Sequence, residues 1–110
     1  MKFLDRYECD MLEDGNMILK FTPVENYQTI FVGVSQDDEY ITIFDGGSLV
    51  AALKPIYNFK SQEFLTKFIE ICKTKKISKN GNVMFLQCLP QDFDARLADF
   101  VDALNLICRI

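Results

Sequence analysis

Among its 110 residues the chain has no histidine and no tryptophan, and it has only five glycines and three prolines. Without histidine there is no imidazole acid–base catalysis, no Cys-His nucleophile, no Ser-His-Asp triad, and few routes to a zinc site. No Walker A lysine pattern and no G-x-G-x-x-G occurs, so two common phosphate-binding signatures are missing as well. The sparse glycine and proline go with 49% apolar and 25% charged residues, the composition of a globular chain rather than a disordered one. No stretch approaches the ~18 consecutive apolar residues of a membrane span. The opening MKFLDRYECD turns acidic by its fifth residue and has no apolar core, so it does not read as a signal peptide.

With tryptophan absent, ten phenylalanines are the bulky core fillers. Cys9, Cys72, Cys88 and Cys108 form no C-x-x-C pair and sit in or beside apolar runs, so they read as core thiols rather than a disulfide framework. That usage points to a reducing compartment, the cytoplasm. The length suits one domain, 1–110, able to bury a core without staples.

A net charge of −4 and a pI near 4.7 disfavour nonspecific nucleic-acid binding, which needs cations to displace phosphate counterions. The charge is unevenly spread. Residues 1–15 and 37–45 are acidic, whereas 54–79 carry seven lysines against Glu63 and Glu70. An acidic side and a basic side are expected. The lysines at 73–79 read as a cationic helix end and a solubilising hairpin, since no aromatic residue is interleaved among them for base stacking.

Apolar residues at 3, 4, 7 and 11 predict a first helix over 3–12. Met17–Thr22 reads as a strand closed by Pro23, and Tyr27–Ser35 as the clearest strand, with Ile30, Val32 and Val34 on one face. A polar turn, Gln36-Asp37-Asp38-Glu39, leads to a strand over Tyr40–Phe44, where Ile41 and Ile43 continue that face. Phe31, Tyr40 and Phe44 lie on the opposite face, either covered by the first helix through Phe3, Leu4 and Tyr7 or offered to a partner.

Asp45-Gly46-Gly47 is the turn around which the chain is organised. It runs from a strand into a short helix, Leu49–Leu53, with Ser48 as N-cap and Pro55 as stop. Its amides could hold an anion, or the Asp45 side chain could cap them. Ser61 caps a helix over 61–75 whose apolar face is Phe64, Leu65, Phe68, Ile69 and Cys72. Residues 77–83 predict a hairpin with an Asn80-Gly81 turn, followed by a strand over Val83–Leu89. Pro90 opens a last helix with Phe93, Leu97, Phe100, Val101, Leu104, Ile107 and Cys108 inward. Asp92, Asp94, Asp99 and Asp102 lie on or near its other side, with Asp92 and Arg96 spaced as an i,i+4 ion pair. The expected order is α-β-β-β-α-α-β-β-α. The expected fold class is α+β: an antiparallel sheet with amphipathic helices packed on it.

Phe21-Thr22-Pro23, the strand ending in Phe44-Asp45-Gly46-Gly47, Leu53, the Asn80-Gly81 hairpin and the final helix come in an order that resembles the domain of unknown function 1828 family of bacteria and their phages. The resemblance covers about residues 16–110. It implies a fold and a phage or mobile-element setting inside a bacterial host cell, and no activity. Many relatives would carry a second Asp where this chain has Phe44-Asp45, which weakens an acidic-pair role.

From these residues the expected function is non-enzymatic protein binding, with no cofactor, no metal, no membrane and no direct nucleic-acid contact. One form is an inhibitor of a bacterial defence nuclease, anti-CRISPR-like, that turns acidic surfaces toward a basic channel. Its contact residues would be Asp37, Asp38 and Glu39, together with Asp92, Asp94, Asp99 and Asp102. The other form is a structural or regulatory homodimer that meets through Phe31, Tyr40 and Phe44.

Overall fold

The computed structural model describes residues 8–11, 16–21, 30–47, 49, 62–81 and 83–108. They form strands β1 (Glu8–Met11), β2 (Met17–Phe21), β3 (Ile30–Gln36) and β4 (Ile41–Phe44), helix α1 (Gln62–Thr74), strands β5 (Ser78–Asn80) and β6 (Val83–Cys88), and helix α2 (Phe93–Cys108). A 3-10 turn, Pro90–Asp92, precedes α2. The six strands make one sheet in the order β1-β2-β3-β4-β6-β5, antiparallel at every pairing. The fold class is therefore α+β, as the grouping of strands and helices predicts.

The first described element is a strand and not a helix. Glu8–Met11 pairs with β2, Cys9 opposite Leu19 and Met11 opposite Met17. Its sequence alternates acidic and apolar residues, a period of two, and β2 supplies a ladder that an isolated amphipathic turn lacks. The proposed cover by Phe3, Leu4 and Tyr7 falls outside the described residues, as do the caps at Ser48 and Ser61, Pro23, Cys9's side chain and the helix beyond Leu49.

Both helices pack on one face of the sheet. That face presents Leu19, Ile30, Val32, Val34, Ile41, Ile43, Met84, Leu86 and Cys88, all buried. Against it α2 lays Phe93, Leu97, Phe100, Val101, Leu104, Ile107 and Cys108, the full set that its periodicity predicts. From α1 come Phe64, Phe68 and Cys72, with Phe64 and Phe68 edge to face at 5.9 Å. Leu65 is only half-buried and Ile69 is exposed, so the buried stripe of α1 is narrower than expected. The i, i+4, i+8 column is fully buried, and half-buried Ile71 packs against the same core.

Helix α1 stops in a paired-bond cap. The Ile77 amide donates to the Cys72 carbonyl (2.8 Å) and the Lys76 amide to that of Lys73 (3.1 Å). This geometry puts Lys76 in the left-handed region at φ 56°, a position usually given to glycine. Arg96 of α2 then donates to the carbonyls of Lys75 (3.1 Å) and Lys76 (2.9 Å), so one helix caps the other.

In the β5–β6 hairpin Asn80 pairs with Val83. The turn therefore begins after Asn80, with Gly81 at φ 60°, one residue later than an Asn80-Gly81 turn. Tyr40 belongs to the preceding turn and Leu89 to the following one, so β4 and β6 are each one residue shorter than expected.

Candidate functional site

Asp45 is 3% exposed, at the end of β4. Antiparallel pairing alternates rungs that exchange two hydrogen bonds with rungs that exchange none. Beyond the Phe44–Phe85 rung, the Asp45 amide donates to the Met84 carbonyl at 3.1 Å. The return bond goes from the Met84 amide to Asp45 Oδ1, 2.8 Å, a side-chain oxygen in place of the backbone carbonyl. This lets the chain leave the sheet one residue early, through Gly46 (φ 60°) and Gly47 (φ 84°). The Gly47 amide also donates to Oδ1 (3.1 Å), and the Leu49 amide to Oδ2 (3.4 Å). The amides that might have held an anion are taken by the chain's own carboxylate. Burial pushes the Asp45 carboxyl above the usual range, against the opposing pull of the amide bonds from Met84, Gly47 and Leu49.

The thiols among the described side chains are shielded from solvent. Cys72, Cys88 and Cys108 are buried, and burial pushes Cys72 and Cys108 up to about 11 and Cys88 upward. Among the described residues no cluster of His, Cys, Asp and Glu is arranged to hold a metal ion, and no helix is long and apolar enough to cross a membrane.

The acidic candidates divide into two groups. Asp99 is paired within α2 and Asp102 across to the end of α1. Asp99 Oδ2 accepts from Arg96 at 2.8 Å, and Asp102 Oδ2 lies 2.6 Å from Lys75 Nζ. Arg96 thus pairs with Asp99 rather than with Asp92, because its guanidinium is aimed at the end of α1. Asp37 is likewise committed, although exposed. Its Oδ1 accepts the amides of Tyr40 (2.6 Å) and Glu39 (2.8 Å), and its own amide donates to the Tyr40 carbonyl (3.0 Å). Those amides hold its carboxyl below the usual range, Tyr40 foremost. Asp37 builds the turn, so its part in any contact is to position its neighbours.

Asp38, Glu39, Asp92 and Asp94 are exposed, and none has a cationic partner among the described residues. The β4–β6 register brings two of these segments together. Ile41 pairs with Cys88, so Tyr40 and Leu89 leave the ladder at the same end. They are 41% and 42% exposed. Asp38 and Glu39 stand on one side of them and Asp92 on the other. The Asp92 amide donates to the Leu89 carbonyl at 3.0 Å, and beyond burial the nearby Cys88 thiol is pulled down by Arg96 and pushed up, to a lesser extent, by Asp92. Leu89 carries no signal in the sequence; it becomes visible only once β6 is set beside β4.

The aromatic set splits. Phe31 (45% exposed) and Phe44 share a hollow of 460 Å³ with Asn16, Met17, Ile18, Gly33, Asp45 and Gly46, on the face away from the helices. The Phe44 ring lies over Gly33, its cross-strand partner. Tyr40 is at the opposite end of β4. Between them the face is polar: Gln87 Nε2 donates to Thr42 Oγ1 at 3.4 Å. No protein-family model, curated protein or solved structure matches the chain.

Proposed function

We propose that this chain is a non-enzymatic binding module that turns an acidic surface toward a basic protein partner. One observation carries the reading: Asp38, Glu39 and Asp92, from segments fifty residues apart, flank the same end of the β4–β6 ladder with no described cation to neutralise them. Surface charges of one sign gathered at one end steer association with a complementary surface. The absence of histidine from the chain, and the commitment of the buried carboxylate of Asp45 to three backbone amides, support a role without chemistry.

Together with the resemblance to the domain of unknown function 1828 family, this favours a phage or mobile-element protein acting in the cytoplasm of a bacterial cell. Its partner is a host protein with a basic nucleic-acid channel, such as a defence nuclease, with no direct contact to nucleic acid. The test is affinity capture from bacterial lysate at low and high salt, with the wild-type chain and an Asp38→Lys, Glu39→Lys, Asp92→Lys variant. Capture of a basic protein by the wild type and not by the variant supports the reading. Equal capture by both refutes it.

Self-association through the other sheet face is the second reading, favoured by the exposure of Phe31 beside the apolar hollow. Light scattering on the purified protein decides it: a dimer that Phe31→Lys turns into a monomer supports this reading, and a monomeric wild type at tens of micromolar removes it.

A further inference from the structure

We infer that Tyr40 and Leu89 form the apolar centre of a docking surface for a basic peptide segment, one bulky apolar side chain seated between arginines or lysines. This rests on the acidic-surface reading and goes beyond it, because it gives the contact an apolar anchor. Both side chains are large, more than two-fifths exposed, and at the same end of neighbouring strands. Interface energy concentrates in such desolvated centres, whereas rim charges mainly set the on-rate and the salt dependence.

The backbone that carries both is held in place before any partner arrives. Tyr40 is fixed by the hydrogen bonds of its amide and carbonyl to Asp37, and Leu89 by the 3-10 turn in which its carbonyl accepts the Asp92 amide. A surface already ordered loses little conformational entropy on binding. The choice of occupant follows from charge. The exposed charges at the rim are Asp38, Glu39 and Asp92, none with a cationic partner among the described residues, and half-buried Arg96 is tied to Asp99, so an acidic or neutral apolar segment would bring a like charge or none to these carboxylates.

The test uses three synthetic peptides of equal length: arginines flanking leucines, arginines flanking serines, and glutamates flanking leucines. Binding is followed by calorimetry and by stopped-flow fluorescence with a dye on the peptide. The arginine–leucine peptide is expected to bind at least tenfold more tightly than either control. Tyr40→Ser and Leu89→Ser should each weaken it about tenfold through faster dissociation, the size of one lost apolar anchor. Asp38→Asn with Glu39→Gln should slow association and flatten the salt dependence instead. Thermal melting of each variant verifies that it is folded. Tyr40→Phe, which keeps the ring, should bind like the wild type.

If the arginine–serine peptide binds as tightly as arginine–leucine, or the two serine variants bind unchanged, the apolar centre is refuted while the acidic-surface reading stands. If no peptide binds, or the glutamate–leucine peptide binds as well, both fail. A wild-type dimer dissolved by Leu89→Ser would make the occupant a second copy of this chain and overturn the inference.

Discussion

Asp45 Oδ1 accepts the amide of Met84 at 2.8 Å, across 39 positions of sequence, and closes the last rung of the β4–β6 ladder with a side chain. Asp45→Ala would leave that buried donor and the Gly47 and Leu49 amides without their acceptor. The expected loss is about 3 kcal/mol in urea unfolding. Asp45→Asn keeps one acceptor oxygen and should cost about half as much. An alanine variant as stable as the wild type would show the bond to be dispensable.

The same carboxyl sets a pH dependence. Burial raises its proton affinity in the folded state above that in the unfolded chain. Its contribution to stability is therefore full below the ordinary carboxylate value and is lost as pH rises through the raised folded value. Asp37 runs the other way, because its amide bonds lower its proton affinity when folded, so its contribution is lost as pH falls. Subtracting the Asp45→Asn curve from the wild-type curve isolates the first effect. Urea midpoints measured from about pH 3 to 7 should give a difference that declines with rising pH; a flat or rising difference contradicts the assignment.

A methyl group at Gly33 would stand 2.5 Å from Cε2 of Phe44. The ring is half-exposed and can swing aside, so Gly33→Ala should cost about 1 kcal/mol rather than unfold the protein. The effect should vanish when Phe44 is already alanine. A double-mutant cycle reads this as a coupling energy, and strict additivity would mean that the ring does not rest on Gly33 in solution.

Lys76 occupies a left-handed position that costs a side chain about 1 kcal/mol. Lys76→Gly should raise the melting temperature by about 4 °C or more. Lys76→Ala, which retains the strain, should not. A glycine variant that melts no higher would mean that the α1 cap relaxes in solution.

At the hairpin tip, Asp37→Lys should lower the thermal midpoint, because two amides lose their acceptor. Asp38→Lys and Glu39→Lys should leave it unchanged. Reversing all three charges therefore mixes a structural effect with a binding effect, and Asp38 with Glu39 is the informative pair. A stable Asp37→Lys variant would return Asp37 to the solvated acids.

Much of the core was legible because it is periodic. Ile30, Val32, Val34, Ile41 and Ile43 repeat every two residues, Phe93, Leu97, Phe100, Val101, Leu104, Ile107 and Cys108 repeat as one face of a helix, and all of these are buried. Glu8–Met11 was misread because four residues fit a helical stripe and a strand equally well, and only the pairing with β2 separates the two. Ile69 was misread because a periodic stripe says nothing about how wide the receiving surface is.

The surface obeyed a different rule. Sequence determined which residues carry charge, that histidine chemistry is impossible, and that Asp45-Gly46-Gly47 turns the chain out of the sheet. Those are properties of side chains and of local backbone freedom. Local geometry spends Asp37 on the amides of Glu39 and Tyr40 and pairs Asp99 with Arg96 one turn away, and tertiary structure adds Asp102. Asp102 is paired because the packing of α2 beside the end of α1 brings Lys75 to it, and the same packing gives Arg96 the carbonyls of Lys75 and Lys76. Tertiary structure also joined Tyr40 to Leu89, through the antiparallel register of two strands whose paired ends lie almost fifty residues apart. Coulomb interaction and desolvation depend on distance in space, and a linear chain does not contain that distance until the sheet has formed.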